Sequence, residues 1–342
     1  MPQANRIILP YPKKEVKWVM RLVSSVQMLQ GKPPPPCRYT HDVPALVFST
    51  AGLGGNVFHD FSELIIPLFL TSRLFQSRLR FIVMDFNIRS MEKYKNIFSH
   101  LSSYEIINPA ANVSVHCFPG VVAGLHYHGA LTINNSSIPG GNSMRDFNQF
   151  LRESYNVKTQ DLTLKKKPVL VLISRQHSRK FLNENEMVSM MKALSFDVVV
   201  LKPDMMANLD KVAEIMNSCS VLVGAHGAGL TNSLFLPQGA VMVQVVGLGQ
   251  GGLSAWFFGE PSKEMPLSYL EYKIKPRESS LVSLYGKHHP IVVDPKSVSK
   301  RKGYGFAKAV YLDGQNFTIN IARFRKTLIK ALGLLGRLAP SV

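Results

Sequence analysis

Residues 221–232 read VLVGAHGAGLTN, an apolar run that passes directly into a glycine-rich loop. Val221 to Val223 suit a parallel strand that is covered on both faces. The glycines allow a tight turn and a close approach of the backbone to a ligand, and residues 230–236 predict a short helix. A second apolar run, 240–246, follows at once. We therefore expect the loop at the carboxyl edge of an α/β sheet, where such sheets bind ligands.

This loop is a candidate phosphate-binding site. A strand–loop–helix turn directs free backbone N–H groups and the positive end of a helix dipole at one point. The same pattern also occurs in turns that bind nothing, so both interpretations stay open on shape alone. The predicted phosphate-binding residues of the loop are His226, Gly227, Ala228, Gly229, Leu230, Thr231 and Asn232.

Two arginines follow another predicted strand, at residues 168–173. Arg175 and Arg179 could hold a diphosphate through paired guanidinium hydrogen bonds. The alternative is a pair of surface arginines on a loop. Their position at a strand end, beside a second predicted phosphate loop, favours binding.

The first half of the chain repeats the strand–loop–helix pattern. Residues 45–49 predict a buried strand, 51–56 a glycine-rich loop, and 57–70 a helix with an apolar stripe. Two such segments predict an α/β fold with two Rossmann-like domains. The loop lacks the third glycine of a dinucleotide fingerprint, which disfavours a nicotinamide enzyme.

The composition limits the classes of partner that this protein is expected to bind. The chain has 342 residues, 46% of them hydrophobic, and a formal net charge of +18. Such a charge favours polyanions, but the densest basic runs, 165–167 and 300–302, are short, so we predict no nucleic-acid partner. The sequence contains no apolar run long enough to span a membrane and no signal peptide. Taken alone, this predicts a cytosolic protein.

The remaining sequence features concern cysteine pairing, metal binding and location. The three cysteines, at 37, 117 and 219, cannot all pair within one chain, lack metal-site spacing and leave the pairing open. Because no Asp-x-Asp motif occurs, we predict neither a metal nor a cofactor. Sequons at Asn112, Asn134, Asn135 and Asn316 permit a secretory location.

Several blocks, in order along the chain, resemble glycosyltransferase family 61, most closely its plant branch that decorates xylan. They include GNVFHDF at 55–61, SRKFLN at 178–183, HGAGLTN at 226–232, FLP at 235–237 and VYLD at 310–313. The likeness extends roughly from residue 5 to residue 335. Such a resemblance implies GT-B architecture, with two facing Rossmann-like domains and the active cleft between them.

The resemblance also implies a function. It is the inverting transfer of a pentose, arabinofuranose or xylose, from a UDP-sugar to a xylan-type polysaccharide. The family resides in the Golgi lumen behind an N-terminal membrane anchor, which we do not expect in this sequence. We predict a lead-in with a proline-rich connector at 1–37, an acceptor domain at 38–160, a nucleotide-sugar domain at 161–318 and a C-terminal helix at 319–342.

Inversion needs one base that takes the proton of the attacking hydroxyl. His59 and Asp60, at the start of the helix after the first glycine-rich loop, are the candidates, with Asp60 preferred. Gly55 and Asn56 are expected on the acceptor side of the cleft. The chain departs from the family pattern near Lys202 and at Gly247. A catalytically inactive member that binds UDP-sugar or polysaccharide, or a transferase acting on N-glycans, is therefore the alternative.

Overall fold

The computed structural model describes residues 6–29, 33–133, 141–158, 162 and 166–337. The predicted sequons at Asn134 and Asn135 lie outside these ranges. The chain divides into two compact units, unit 1 (Met1–Tyr155) and unit 2 (Asn156–Val342). Within the described ranges, no helix combines the length and the hydropathy that crossing a membrane requires.

Unit 1 is built on short strands, most of them parallel. They are β1 (Arg6–Ile8), β2 (Val26–Met28), β3 (Tyr39–Thr40), β4 (Ala45–Ser49), β5 (Arg80–Met84), β6 (His116–Cys117) and β7 (Val121–Ala123). The central sheet has the parallel order β5–β4–β7, with the fully buried β4 in its middle. β3 pairs in parallel with β6, and β1 pairs antiparallel with β2.

The helices of unit 1 are α1 (Lys17–Met20), α2 (Val57–His59), α3 (Ile66–Leu74), α4 (Ile88–Lys93), α5 (Lys95–Leu101) and α6 (Met144–Ser154). Between α2 and α3 the chain forms a π-helical segment, Asp60–Ile65, so that one helical rod continues from Val57 to Leu74. The predicted stripe is confirmed, since Phe58, Phe61, Leu64, Ile65 and Leu68 are all buried. A widened turn of this kind frequently marks a functional site.

Unit 2 contains one five-stranded parallel sheet. Its strands are β8 (Val169–Ile173), β9 (Asp197–Leu201), β10 (Val221–Ala225), β11 (Val241–Val246) and β12 (Ser268–Lys273). Their order in space is β12–β11–β10–β8–β9. Every residue of β10 and β11 is buried, as expected for apolar strands covered on both faces. The predicted α/β class is therefore confirmed as a mixed α/β fold with parallel sheets.

The helices of unit 2 are α7 (Glu184–Ala193), α8 (Leu209–Asn217), α9 (Gly251–Ser254), α10 (Glu260–Glu264), α11 (Leu281–Tyr285), α12 (Pro290–Val293), α13 (Pro295–Ala307) and α14 (Ile321–Leu334). A 3₁₀ helix, Ala228–Phe235, follows β10, and a π-helical segment, Ala255–Gly259, joins α9 to α10. One core cluster unites the sheet with α7 and α14, through residues such as Met187, Met191, Phe324 and Leu328.

The strand order defines where this sheet binds ligands. Counted along unit 2, β8 is the first strand and lies between the second and the third, an order of 2-1-3-4-5. Connections from neighbouring strands then leave on opposite faces, which opens a crevice at the carboxyl ends of the first and third strands. In unit 2 these ends are Ile173 and Ala225, directly before the predicted arginines and the predicted loop.

A disulfide joins Cys37 to Cys117, while Cys219 is buried as a free thiol. The bond fixes β6 to the residues that precede β3, across a sequence separation of 80. A cross-link that closes a long loop stabilises a fold by restricting the unfolded chain. The pairing that the sequence left open is therefore Cys37 with Cys117.

Replacing Cys37 with Ser is expected to lower the free energy of unfolding by about 2–5 kcal/mol. Urea denaturation of the oxidised proteins measures this difference. Cys117→Ser and the double variant should show the same loss, because each removes the same bond. Wild-type protein in reductant is the control, and an equal stability with and without reductant would contradict the prediction.

Candidate functional site

The loop after β10 presents free backbone donors. No described residue accepts from the backbone N–H groups of Gly227, Ala228 or Gly229, whereas Leu230 N–H already donates to the Gly227 carbonyl at 3.0 Å. The predicted helix at 230–236 begins earlier, at Ala228, and is of the 3₁₀ type. The unpaired N–H groups at its start therefore belong to residues 227–229, and they suit an anion.

The other predicted residues of the loop lie inside the protein. Leu230 and Thr231 are fully buried, and Asn232 is nearly so. The Asn232 side chain donates to the Gly229 carbonyl at 2.9 Å. These three residues support the loop from the protein interior, while Gly227, Ala228 and Gly229 supply the N–H donors.

Both predicted arginines reach Gly227. A Cβ added at this glycine would lie 2.7 Å from Nη1 of Arg179 and 3.0 Å from Nη1 of Arg175, and its φ is +147°. Arg179 Nη1 also donates to the His226 carbonyl at 2.8 Å, and Arg175 Nε donates to the Ser178 carbonyl at 2.8 Å. The structure thus brings Arg175, Arg179 and the glycine loop together at the edge of the parallel sheet.

In the described part of the chain, no acidic side chain pairs directly with either guanidinium group. Neither Arg175 nor Arg179 forms an ion pair within the described ranges, and Nε of Arg179 is buried without a hydrogen-bond partner. Burial, and then the repulsion from Arg175, lower the pKa of Arg179 to about 10. The charge of Asp313 raises this pKa only in part. Two cations held together without a directly paired acidic group form a site for an anion with several oxygens, such as a diphosphate.

The backbone around Arg179 is held in an uncommon conformation. Arg179 has φ of +57°, in the left-handed region that non-glycine residues seldom adopt. Its N–H donates to the Gln315 carbonyl at 2.6 Å, and the next N–H, of Lys180, donates to the Asn316 side chain at 3.0 Å. Strain that its surroundings fix in this way is typical of functional sites.

His226 begins a chain of polar side chains inside unit 2. Its Nδ1 lies 2.7 Å from the Gln244 amide, which lies 2.7 Å from the Tyr269 hydroxyl. That hydroxyl lies 2.7 Å from Glu271. Sequence reasoning missed Gln244, Tyr269 and Glu271, although a glutamine inside the apolar strand VMVQVV, the sequence of β11, was a detectable signal.

The His226 ring is almost enclosed, with 5% of its surface exposed, and it contacts the rings of Phe257 and Phe258. Burial, and then the charges of Arg179 and Arg175, lower its pKa to about 4. The folded protein therefore holds this histidine neutral at pH values where an unfolded chain protonates it.

Acidification should consequently destabilise the fold through His226. Between about pH 6.5 and pH 4 the unfolded chain binds a proton that the folded ring does not, so stability falls as pH falls. The loss from pH 7 to pH 5 is expected on the order of 2 kcal/mol. Urea denaturation at both pH values measures it; His226→Gln should reduce the loss, whereas His177→Gln, at an exposed position, should not. Equal losses in all three proteins would contradict the assignment.

In unit 1, Asp60 is enclosed rather than open to substrate. It is 4% exposed, and its carboxylate accepts from the Gly55 N–H at 2.9 Å and from the Tyr94 hydroxyl at 2.6 Å. Burial raises its pKa and outweighs these two hydrogen bonds. Asp60 thereby fastens the glycine-rich loop to the start of the helix, while the neighbouring Asn56 caps α2 by accepting from Phe58 N–H.

His59 instead forms a dyad with Glu63, a residue that sequence reasoning missed. His59 Nδ1 lies 2.7 Å from Glu63 Oε1, and the His59 side chain is 25% exposed against 1% for Glu63. Glu63 also accepts from the Tyr11 hydroxyl and from Lys13 Nζ. Burial raises the pKa of Glu63. The hydrogen bonds from His59 and Tyr11 and the charge of Lys13 lower this pKa by a larger amount, so the net shift is downward.

This dyad has the geometry of a general base. An ionised Glu63 accepts a hydrogen bond from the Nδ1–H of His59. This tautomer leaves Nε2 with a lone pair that can take a proton from another molecule. The signal in the sequence was the spacing, because residues 59 and 63 lie about one helical turn apart. No cluster of three or more potential metal ligands occurs in the described part of the chain.

Comparison with known proteins identifies the family of the chain. The family described as Glycosyltransferase 61 matches residues 10–243. An alpha-1,3-arabinosyltransferase of Oryza sativa subsp. japonica is 37% identical over 96% of the chain and 58% of its own length. A xylan glycosyltransferase of Arabidopsis thaliana is 37% identical over 86% of the chain and 63% of its own length. A beta-1,2-xylosyltransferase of the same rice is 36% identical over 96% and 72%.

Solved structures are more remote. The iron-containing heptosyltransferase TibC in complex with ADP-D-beta-D-heptose has a TM-score of 0.34 at 13% identity, over 74% of this chain and 68% of that one, and this likeness carries no argument. The chain spans little more than half the length of the rice arabinosyltransferase. The family match nevertheless covers most of this sequence, and the chain belongs to the glycosyltransferase 61 family.

Proposed function

We propose that this protein is an inverting glycosyltransferase that moves a pentose from a UDP-sugar onto a xylan-type polysaccharide. The observation that carries the proposal is the pair of guanidinium groups of Arg175 and Arg179 over Gly227, at the ligand-binding edge of the parallel sheet. Neither group is in an ion pair within the described ranges. Names of relatives in the same family support the acceptor and the sugar, since they include a xylan glycosyltransferase, an arabinosyltransferase and a xylosyltransferase.

In this proposal unit 2 binds the nucleotide. The diphosphate would accept from the N–H groups of residues 227–229 and from both guanidinium groups. These donors are held in place before the reaction, and they stabilise the negative charge that develops on UDP as it leaves. We propose that the arginines take the place of a divalent metal ion in this role. The GT-B arrangement of the domains is part of the same proposal.

Unit 1 would supply the base, and the geometry favours His59 over the sequence-based preference for Asp60. The acceptor hydroxyl oxygen would bond to the anomeric carbon while the bond from that carbon to UDP breaks. The hydroxyl proton would pass to His59 Nε2, and Glu63 would stabilise the imidazolium that forms. Asp60 would keep a structural role, because Gly55 and Tyr94 already occupy its oxygens.

A lumenal location is the further expectation. The Cys37–Cys117 bond is of a kind that persists in oxidising compartments. This supports residence in the Golgi lumen, which the family resemblance implies, over the cytosol that the sequence alone predicts. Fluorescent fusions of the full-length gene product, imaged with Golgi and cytosolic markers, would decide between the two.

The experiment that tests the function is UDP release from a panel of UDP-pentoses and UDP-hexoses, with and without a xylo-oligosaccharide and EDTA. Acceptor-dependent release from one pentose donor is the expected result, and it should survive EDTA. Release that requires added metal would overturn the metal-free site. UDP binding without release from any donor would support an inactive member of the family, and no UDP binding would refute the assignment of the loop.

A further inference from the structure

Hydrogen bonds link the side chains of His226, Gln244, Tyr269 and Glu271 in a row, and this row has too few protons for its acceptors. With the Gln244 nitrogen towards His226, the Tyr269 hydroxyl faces two oxygens at 2.7 Å, Gln244 Oε1 and Glu271 Oε1. A hydroxyl has one proton and can donate to only one of them. The Tyr269 oxygen would then lie 2.7 Å from the second acceptor oxygen with no proton between the two atoms.

Glu271 decides which acceptor receives that proton. Its carboxylate pairs with Lys273 at 3.0 Å and accepts from Ser254 at 3.1 Å. Burial raises its pKa, yet the hydrogen bonds from Tyr269 and Lys273 outweigh that effect and lower it, so the carboxylate is ionised and can only accept. Tyr269 must therefore donate to Glu271, and its oxygen must accept from Gln244.

This order of donation fixes the orientation of the Gln244 amide. Its nitrogen faces Tyr269 and its oxygen faces His226, because the two ends of an amide are distinguished by their hydrogen-bond partners. The amide oxygen then requires a donor at His226 Nδ1. Gln244 is fully buried, so water has no access to relieve a mismatch, and one unsatisfied member would weaken the whole chain of bonds.

We propose that Glu271, Tyr269 and Gln244 form a relay that holds the proton of His226 on Nδ1 and leaves Nε2 as an acceptor for a hydroxyl group of the nucleotide sugar. Nε2 makes no hydrogen bond to any described residue. Its lone pair would repel a phosphate oxygen, so His226, one of the predicted binding residues of the loop, would contact a hydroxyl and not the diphosphate. This inference rests on the proposed function for its ligand.

A site with these groups would bind two chemically different parts of one ligand. Arg175, Arg179 and the N–H groups of residues 227–229 are all donors, which suit phosphate oxygens. His226 Nε2 would be an acceptor next to them, which suits an O–H group. The hydroxyl could belong to the ribose or to the transferred pentose, because both lie next to the diphosphate in a UDP-sugar.

The tautomer can be measured without any ligand. Long-range proton–nitrogen correlation spectra of protein labelled with ¹⁵N-histidine, at pH 7, show which ring nitrogen carries the proton. His226→Phe, or His226→Gln if the first fails to fold, assigns the signals by their loss. We expect the proton on Nδ1. A proton on Nε2 would overturn the proposal.

The Tyr269→Phe variant tests the relay. Without the hydroxyl, Gln244 can adopt either orientation, and the His226 signals should show both tautomers. Tyr304→Phe removes the same group at a 70% exposed position of α13; it is the matched control and should retain the single Nδ1 tautomer. An unchanged tautomer in Tyr269→Phe would show that the relay does not set it.

Calorimetric titration identifies the hydroxyl. His226→Phe should weaken the binding of a UDP-pentose about three- to tenfold, the usual effect of one neutral hydrogen bond. A loss for UDP-xylose or UDP-arabinofuranose but not for UDP would assign the pentose hydroxyl, and an equal loss for all would assign the ribose. Unchanged affinities would overturn the ligand contact. If wild-type protein binds no UDP compound, the proposed function fails, while the tautomer measurement still decides the relay.

Discussion

Gly227→Ala should lower the affinity for UDP ten- to a hundredfold while the protein stays folded. The added Cβ would lie 2.7 Å from Arg179 Nη1 and 3.0 Å from Arg175 Nη1, distances at which the guanidinium groups must move away. Each charge-assisted hydrogen bond that is lost costs about 1.5–3 kcal/mol, and about 1.4 kcal/mol corresponds to a tenfold change in affinity. Isothermal titration with UDP measures the effect.

Gly239→Ala is the matched control for backbone strain. Gly239 also has positive φ, +80°, but no atom lies within 4 Å of its added Cβ. Both variants thus place alanine in an unfavourable conformation at a cost of about 1 kcal/mol, and only Gly227→Ala displaces the arginines. Equal effects on UDP affinity would show that strain, and not crowding of the guanidinium groups, explains the loss.

His59→Gln should lower kcat by about 10²–10⁴, the usual contribution of a general base. The donor KM should change little, because His59 lies in unit 1 and the proposed nucleotide site lies in unit 2. Glu63→Gln should cause a smaller loss, since it removes the charge that stabilises the imidazolium but leaves the ring in place. Steady-state kinetics with the active donor and a xylo-oligosaccharide measure both variants.

Asp60→Asn separates the two adjacent candidates. An asparagine can still accept from Gly55 N–H through its carbonyl and donate to Tyr94 through its amide, so the fold of the loop is retained. We expect transfer near the wild-type rate. A full loss in Asp60→Asn together with an active His59→Gln would reverse the assignment and restore the sequence-based preference.

The sequence predicted the elements that carry the site because their signals are local. The apolar runs of β8, β10 and β11, the glycines between strand and helix, and the positions of Arg175 and Arg179 at a strand end all follow from short-range patterns. The order of the strands, which places these ends side by side, depends on chain crossovers that no local pattern encodes.

The roles of individual polar residues could not be predicted in the same way. Asp60 and His59 are neighbours in sequence, yet one is 4% exposed and the other faces outwards. The difference arises from Tyr94, which reaches Asp60 from the turn between α4 and α5, and from Glu63, which reaches His59 from a widened helical turn. The partners of His226 lie 18 residues or more away, so only tertiary structure reveals them.

The two guanidinium groups over Gly227 lower the stability of the folded protein. Without an anion, Arg175 and Arg179 repel each other in a setting that water only partly reaches, and the charge of Asp313 offsets only part of the cost at Arg179. Folding and binding thus make opposite demands on these positions. A library of variants selected only for heat resistance should accumulate neutral residues at 175 and 179, whereas selection for transfer should preserve both arginines.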